Sequence, residues 1–175
     1  MSRRRKIRIL LASVLALVVG ITLYFQYQSH QERFQLKASF EEQDNIAVLQ
    51  HLMDSGKYTS DMRKAGYIVP SDGAIRLDGG IDSIEIKGDI DLKISHPGRN
   101  GVTAYFEIEI DGKITSVLYE LDKNFDLTSS AYFQINEKNI NERVTIPKVE
   151  EERLLKIVQK ELDGFMKKIY QTLYG

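Results

Sequence analysis

From residue 102 to 121 the chain reads VTAYFEIEI-DG-KITSVLYEL, two stretches of alternating apolar and polar residues on either side of Asp111-Gly112. Alternation with period two marks a half-buried strand. Asp-Gly is a preferred pair for a two-residue hairpin turn, because both positions need positive φ. No other feature constrains the fold as tightly. With Ile110 opposite Lys113, Phe106 faces Val117, Ala104 faces Tyr119 and Val102 faces Leu121, all on one side. A slip by one residue would turn that apolar side to water, so burial selects this register.

The alternation continues in both directions. Strands are expected at residues 81–86, 90–96, 102–110, 113–121 and 127–135, with a shorter one at 143–146. The links PGRNG, DG and KNFD are ordinary turn sequences, and short links between consecutive strands require antiparallel pairing. Closing PGRNG as a loop with His96 opposite Val102 sets Ile94 against Ala104, Leu92 against Phe106 and Ile90 against Ile108, on the same apolar side. The link after Leu121 leaves two outcomes open. An odd loop puts Ala131, Phe133 and Ile135 on that side, whereas a four-residue loop puts Ser130 and Tyr132 there.

Helical spacing governs the flanks. Phe34, Ala38 and Phe40, then Ile46, Leu49 and Met53, recur at intervals suited to helix over residues 26 to about 54. Within it, EEQDN is either an exposed face or a break at which Asp44 caps a second helix. A short helix follows, capped by Thr59 or Ser60 and stopped by Gly66. After Pro147 one long amphipathic helix is expected, with the stripe Leu155, Val158, Leu162, Phe165, Ile169 and Leu173. Gly164 weakens it, or marks a close contact. The fold class is therefore α+β. An N-terminal transmembrane helix and a helical segment lead into an antiparallel β-meander of roughly four to six strands, one face of which the C-terminal helix covers.

The transmembrane expectation rests on residues 9–25, ILLASVLALVVGITLYF, which carry no charge. As helix they span about 25 Å, close to the hydrocarbon thickness of a bilayer. Tyr24, Phe25 and Tyr27 follow as interfacial aromatics, and Arg3, Arg4, Arg5, Lys6 and Arg8 precede. The basic flank should stay cytoplasmic and the rest lie outside. A cleaved signal peptide is the competing reading, but LYFQYQSHQ offers no small-x-small cleavage site. The expected organisation is a basic flank and anchor over 1–28, a helical stalk or segment over 29–66, and sheet plus helix over 67–175, the last two forming one exported domain. Those five cations are set against 24 Lys and Arg and 25 Asp and Glu in all. The exported part is thus net acidic, which argues against nucleic acid as a partner and suits a cationic one.

Little points to chemistry. There is no cysteine, and His30, His51 and His96 stand apart with no metal-ligand spacing. No phosphate-binding loop, nucleophile elbow or dinucleotide fingerprint occurs, so neither a cofactor nor an enzyme is expected. What stands out is the side of the sheet opposite the apolar one. The same registers set Asp91 across from Glu107, Asp89 across from Glu109 if the strand reaches that far, Lys93 across from Tyr105, Tyr105 across from Leu118 and Thr103 across from Glu120. Like charges directly opposite are unfavourable. Asp89, Asp91, Glu107, Glu109 and Glu120, with Tyr105 and Leu118, therefore form a candidate docking site for a basic protein surface. A solvated acidic face is the simpler reading, and a divalent-metal site lacks the EF-hand spacing.

The anchor at residues 3–25 and the strand-turn segment SSAYFQINEKNI at 129–140 give the chain a resemblance to small extracytoplasmic proteins of Gram-positive bacteria. Among these it is similar to the membrane-anchored immunity proteins of the TipC type, although it has no Trp. The resemblance implies a cell-envelope protein that neutralises a secreted LXG-class toxin by binding it. A structural or accessory subunit of an envelope complex is the alternative expectation, with an enzyme or metal-binding module behind it.

Overall fold

Asp111 and Gly112 both have positive φ, 51° and 75°, and between them the chain reverses as the Asp-Gly pair requires. In the computed structural model, residues 3–54, 56–69, 80–98, 101–136 and 140–175 are described, with the side chains of residues 3–10 and of Ala12 outside that set. The expected turn at Pro70–Gly73 and the middle of the PGRNG link fall outside it as well. The element order is α1 (Arg3–Glu41), α2 (Asn45–Asp54), α3 (Thr59–Lys64), β1 (Ser83–Lys87), β2 (Asp91–Ser95), β3 (Val102–Ile110), β4 (Lys113–Leu121), β5 (Leu127–Ile135), β6 (Asn141–Val144) and α4 (Lys148–Tyr174). The six strands form one sheet in sequence order, antiparallel throughout. The fold is α+β.

The chain divides into two compact units, Met1–Ala38 and Ser39–Gly175. The boundary lies within α1, and α2 and α3 fall in the same unit as the sheet. Helix α1 is continuous through the run at 9–25. Among the described residues no helix is long and apolar enough to cross a membrane. The apolar run begins with residues 9, 10 and 12, whose side chains lie outside the described set.

Helix α1 ends before Gln43, which takes a left-handed φ of 57°. Asp44 then caps α2, its Oδ1 accepting the Ala47 amide at 3.0 Å, so the EEQDN segment is a break. Phe34 is 68% exposed and is no part of a core stripe. Helix α3 starts without a side-chain cap, its first turn closing on the Tyr58 carbonyl. It stops where expected, with Gly66 at φ 91°.

The β3–β4 register is the one burial selects, from Val102 against Leu121 to Ile110 against Lys113. Between β2 and β3, Ile94 meets Ala104 and Lys93 meets Tyr105. Ile84, Ile86, Leu92, Ile94, Val102, Phe106, Val117 and Tyr119 are buried on the inner face. Against them α4 buries Leu154, Val158, Leu162, Phe165, Met166 and Ile169, each large side chain contributing about 1.5–3 kcal/mol. The stripe therefore runs through Leu154 and not Leu155, which is half-buried, as is Leu173. Spacings of four and three from Leu154 keep one face on the sheet.

Strand β5 settles what the loop length left open. Five residues separate Leu121 from Leu127, which pair, but the register shifts by one between Leu121 and Glu120, which pairs with Ser129. Thr128 is the extra residue of this β-bulge, and its hydroxyl donates to the Glu120 carbonyl at 2.9 Å. One inserted residue exchanges the faces of everything beyond it. Val117 therefore pairs with Tyr132, and Tyr119 with Ser130, on the inner face. The two tyrosine hydroxyls lie 3.3 Å apart, and Tyr132 and Ser130 both donate to Glu151 Oε1 of α4, at 2.6 and 2.7 Å.

Candidate functional site

The outer face follows from the same ladders. Its residues are Glu85 and Lys87 of β1, Asp91 and Lys93 of β2, Thr103, Tyr105, Glu107 and Glu109 of β3, Ile114, Ser116, Leu118 and Glu120 of β4, Ala131, Phe133 and Ile135 of β5, and Arg143 of β6. None of them is buried. Lys93, Tyr105, Leu118 and Ala131 lie in one row across four strands. Glu107, Ser116, Phe133 and Arg143 form the next.

Six of the seven candidate residues lie on this face: Asp91, Tyr105, Glu107, Glu109, Leu118 and Glu120. Asp89 does not. Strand β2 begins at Asp91, so Asp89 falls in the bent link before it. Its carboxylate meets Lys160 Nζ of α4 at 2.6 Å and its amide donates to Glu161 Oε1 at 3.0 Å. The Asp89–Glu109 pairing is therefore absent. The link fits α4 closely: a Cβ on Gly88 would stand 2.2 Å from the Glu161 carboxylate.

The Asp91–Glu107 pairing does not form either. The β2–β3 ladder holds only the pairs at Lys93 and Ile94. Beside them lies a cleft of about 350 Å³, lined by Lys87, Asp91, Lys93, Tyr105 and Glu107 among others. Two carboxylates facing each other would cost free energy, and each finds another partner. Asp91 pairs with Lys87, directly opposite on β1, at 2.6 Å, and this contact raises the Lys87 pKa. Glu107 accepts the Tyr105 hydroxyl and, at 3.3 Å, that of Ser116. The hydrogen bond to Glu107 holds the Tyr105 phenol above its ordinary pKa.

Glu109 lies opposite Ile114, and Glu120 opposite Thr103 and Ser129. Both are exposed, and among the described residues no ion pair engages Glu107, Glu109 or Glu120. The uncompensated acid thus lies on β3 and at one end of β4, while the acid of β2 is neutralised.

Sequence reasoning left the face of Ala131, Phe133 and Ile135 open, and the structure turns them outward although the loop has five residues. The signal for it was Tyr119. Its inward register buries a hydroxyl, and a buried phenol needs a hydrogen-bond partner. Tyr132 supplies one only if β5 turns this way.

Among the described residues no group of three or more His, Asp or Glu side chains is arranged to hold a metal ion. His96 Nε2 lies 2.7 Å from Asp54 Oδ1. No family model, characterised protein or solved structure matches the chain.

Proposed function

We propose that the chain is a non-enzymatic, membrane-anchored binding protein whose sheet domain lies outside the cytoplasm and holds a protein partner on the outer face of the sheet. Residues 9–25 are the anchor, with the basic residues before them on the cytoplasmic side. The most concrete form of this reading is an immunity-type protein that neutralises a secreted toxin by occluding it. The observation that carries it is an uncovered sheet face on which half-buried Tyr105 and Leu118 stand beside the unneutralised carboxylates of Glu107, Glu109 and Glu120. Among the described residues the cleft on that face is open and walled by the exposed side chains of Lys87, Asp91, Lys93 and Glu107, which suits the holding of a protein surface.

The test is capture of secreted and envelope proteins by the full chain in lipid nanodiscs, beside a Glu107→Lys, Glu109→Lys, Glu120→Lys version that keeps the same circular dichroism. A basic partner is expected on the first and not the second, with association slowed by salt. A partner held equally by both would move the site elsewhere. A second reading, an accessory subunit of an envelope complex, is favoured by one observation. Tyr24, Phe25, Tyr27 and Phe34 along α1 are each more than half exposed. It requires a partner lost when α1 is exchanged for an unrelated anchor.

A further inference from the structure

The bulge at Thr128 brings to the outer face a feature that charge capture alone does not require. It turns Ala131, Phe133 and Ile135 outward beside Leu118 and Ile114. Ile114 is 60% exposed and Ile135 64%. The result is an apolar strip along β4 and β5, and its border is one-sided. On the β3 side stand Glu107 and Glu109, and at one end Glu120, while Arg143 faces Phe133 from β6.

We infer that this strip is the seat of a basic amphipathic α-helix of the partner, its apolar stripe on Leu118, Ala131 and Phe133 and its Lys or Arg residues along one flank over Glu107 and Glu109. The inference rests on the reading of the outer face as a docking site and names what docks. Three observations select a helix with one basic flank. A sheet face offers side chains and no backbone groups, so an extended segment lying on it would leave its own amides without partners, whereas a helix satisfies them internally. Along its length the strip has acid on the β3 side only, with Arg143 on the other, so the cations belong to one flank of the stripe. Neighbouring strands lie about 4.8 Å apart, and a helix with its side chains is about 10 Å across, so one seated along β4 and β5 brings a flank beside β3. The edge strand β6, by contrast, is four residues long and reads NERV. A short, charged edge discourages strand addition.

The chain has no tryptophan, so a Trp in the apolar stripe of a synthetic peptide reports its own burial. Three peptides of matched length serve as probes. One has a Leu stripe at helical spacing with lysines on one flank, one has the same composition rearranged to alternate, and one has Glu in place of Lys. Each is titrated against the full chain in nanodiscs of uncharged lipid, with empty nanodiscs subtracted. The expected result is a blue shift and saturable binding for the helical lysine peptide alone. Leu118→Ser and Phe133→Ser would each weaken it about tenfold with the salt dependence kept. Glu107→Gln with Glu109→Gln would weaken it and flatten the salt dependence.

Equal binding of the alternating peptide, or indifference to Leu118→Ser and Phe133→Ser, overturns the helix while leaving an acidic docking face in place. Indifference to the glutamate changes as well removes both readings. No binding above empty nanodiscs, or sedimentation showing two copies joined through this face, overturns the inference too.

Discussion

Among the described residues, two non-glycine residues in the links between strands take left-handed backbone conformations, for different reasons. Asp111 at φ 51° obeys the hairpin, where a small polar residue is well tolerated. Phe125 at φ 62° does not follow turn chemistry; an aromatic there costs about 1–2 kcal/mol. Its ring is 1% exposed, and burial of that size returns about 1.5–3 kcal/mol. The loop around it is held by Asp122, whose carboxylate accepts the amides of Asn124 and Asp126, and by Gln159 Nε2 on the Phe125 carbonyl at 3.0 Å. Two glycines separate equally well. A Cβ on Gly164 meets nothing within 4 Å, so the helix gains no close contact from it. Gly164→Ala should therefore stabilise the protein by about 1 kcal/mol in urea unfolding. On Gly101 a Cβ would stand 2.5 Å from the Leu121 carbonyl oxygen, and the same change there should lower the unfolding midpoint. A loss at both positions would mean that α4 is packed differently.

Among the elements, α4 and β5 decide each other's placement. The first turn of α4 has no side-chain cap, and Glu150 and Glu151 stand there, where the helix dipole favours them. Glu151 does more than compensate the dipole. It accepts from Tyr132 and Ser130, and these bonds lower its pKa from the usual 4.5. Burial, with the Tyr132 contact, pushes the Tyr119 phenol up, and burial, with the Glu151 bond, pushes the Tyr132 phenol up, so both stay protonated donors. A carboxylate whose pKa is lower folded than unfolded contributes stability that is complete above 4.5 and is lost as pH falls through the folded value. Glu151→Gln should accordingly unfold more easily than the parent at neutral pH, and the gap should close in acid. Unfolding free energies measured across that range check it; a gap independent of pH would place the effect in packing and not in charge.

At the scale of the molecule, the sheet domain is asymmetric: one face is built into a core by α2, α3 and α4, and the other is left uncovered. The arrangement suits a domain that presents a surface, and the proposed anchor would set which side of a membrane that surface occupies. The absence of cysteine makes this measurable. With single cysteines introduced as Ser2→Cys and Ser60→Cys, an impermeant thiol reagent should label the second in intact cells, since Ser60 is exposed on α3. The first should react only after permeabilisation. Labelling in the opposite order would place the sheet domain inside the cell and exclude a secreted partner.

What the sequence by itself determined is the part written in short-range patterns. Period-two burial and an Asp-Gly turn are enough for the β3–β4 register, and residue spacing is enough for α4, apart from the one-residue rotation from Leu155 to Leu154. The acidic row on β3 was legible for the same reason, since a register places both faces of a strand at once. The tertiary structure decided the rest. The bulge at Thr128 sets Tyr132 beside the buried hydroxyl of Tyr119, with Glu151 accepting from Tyr132 through Oε1 and from Tyr119 through its carbonyl oxygen, residues far apart along the chain. Where Asp89 goes depends on Lys160, and whether Asp91 faces Glu107 depends on Lys87. Hydrogen bonds and charge pairs between distant segments carry no local periodicity, and they set which apolar residues stand beside the carboxylates on the uncovered face.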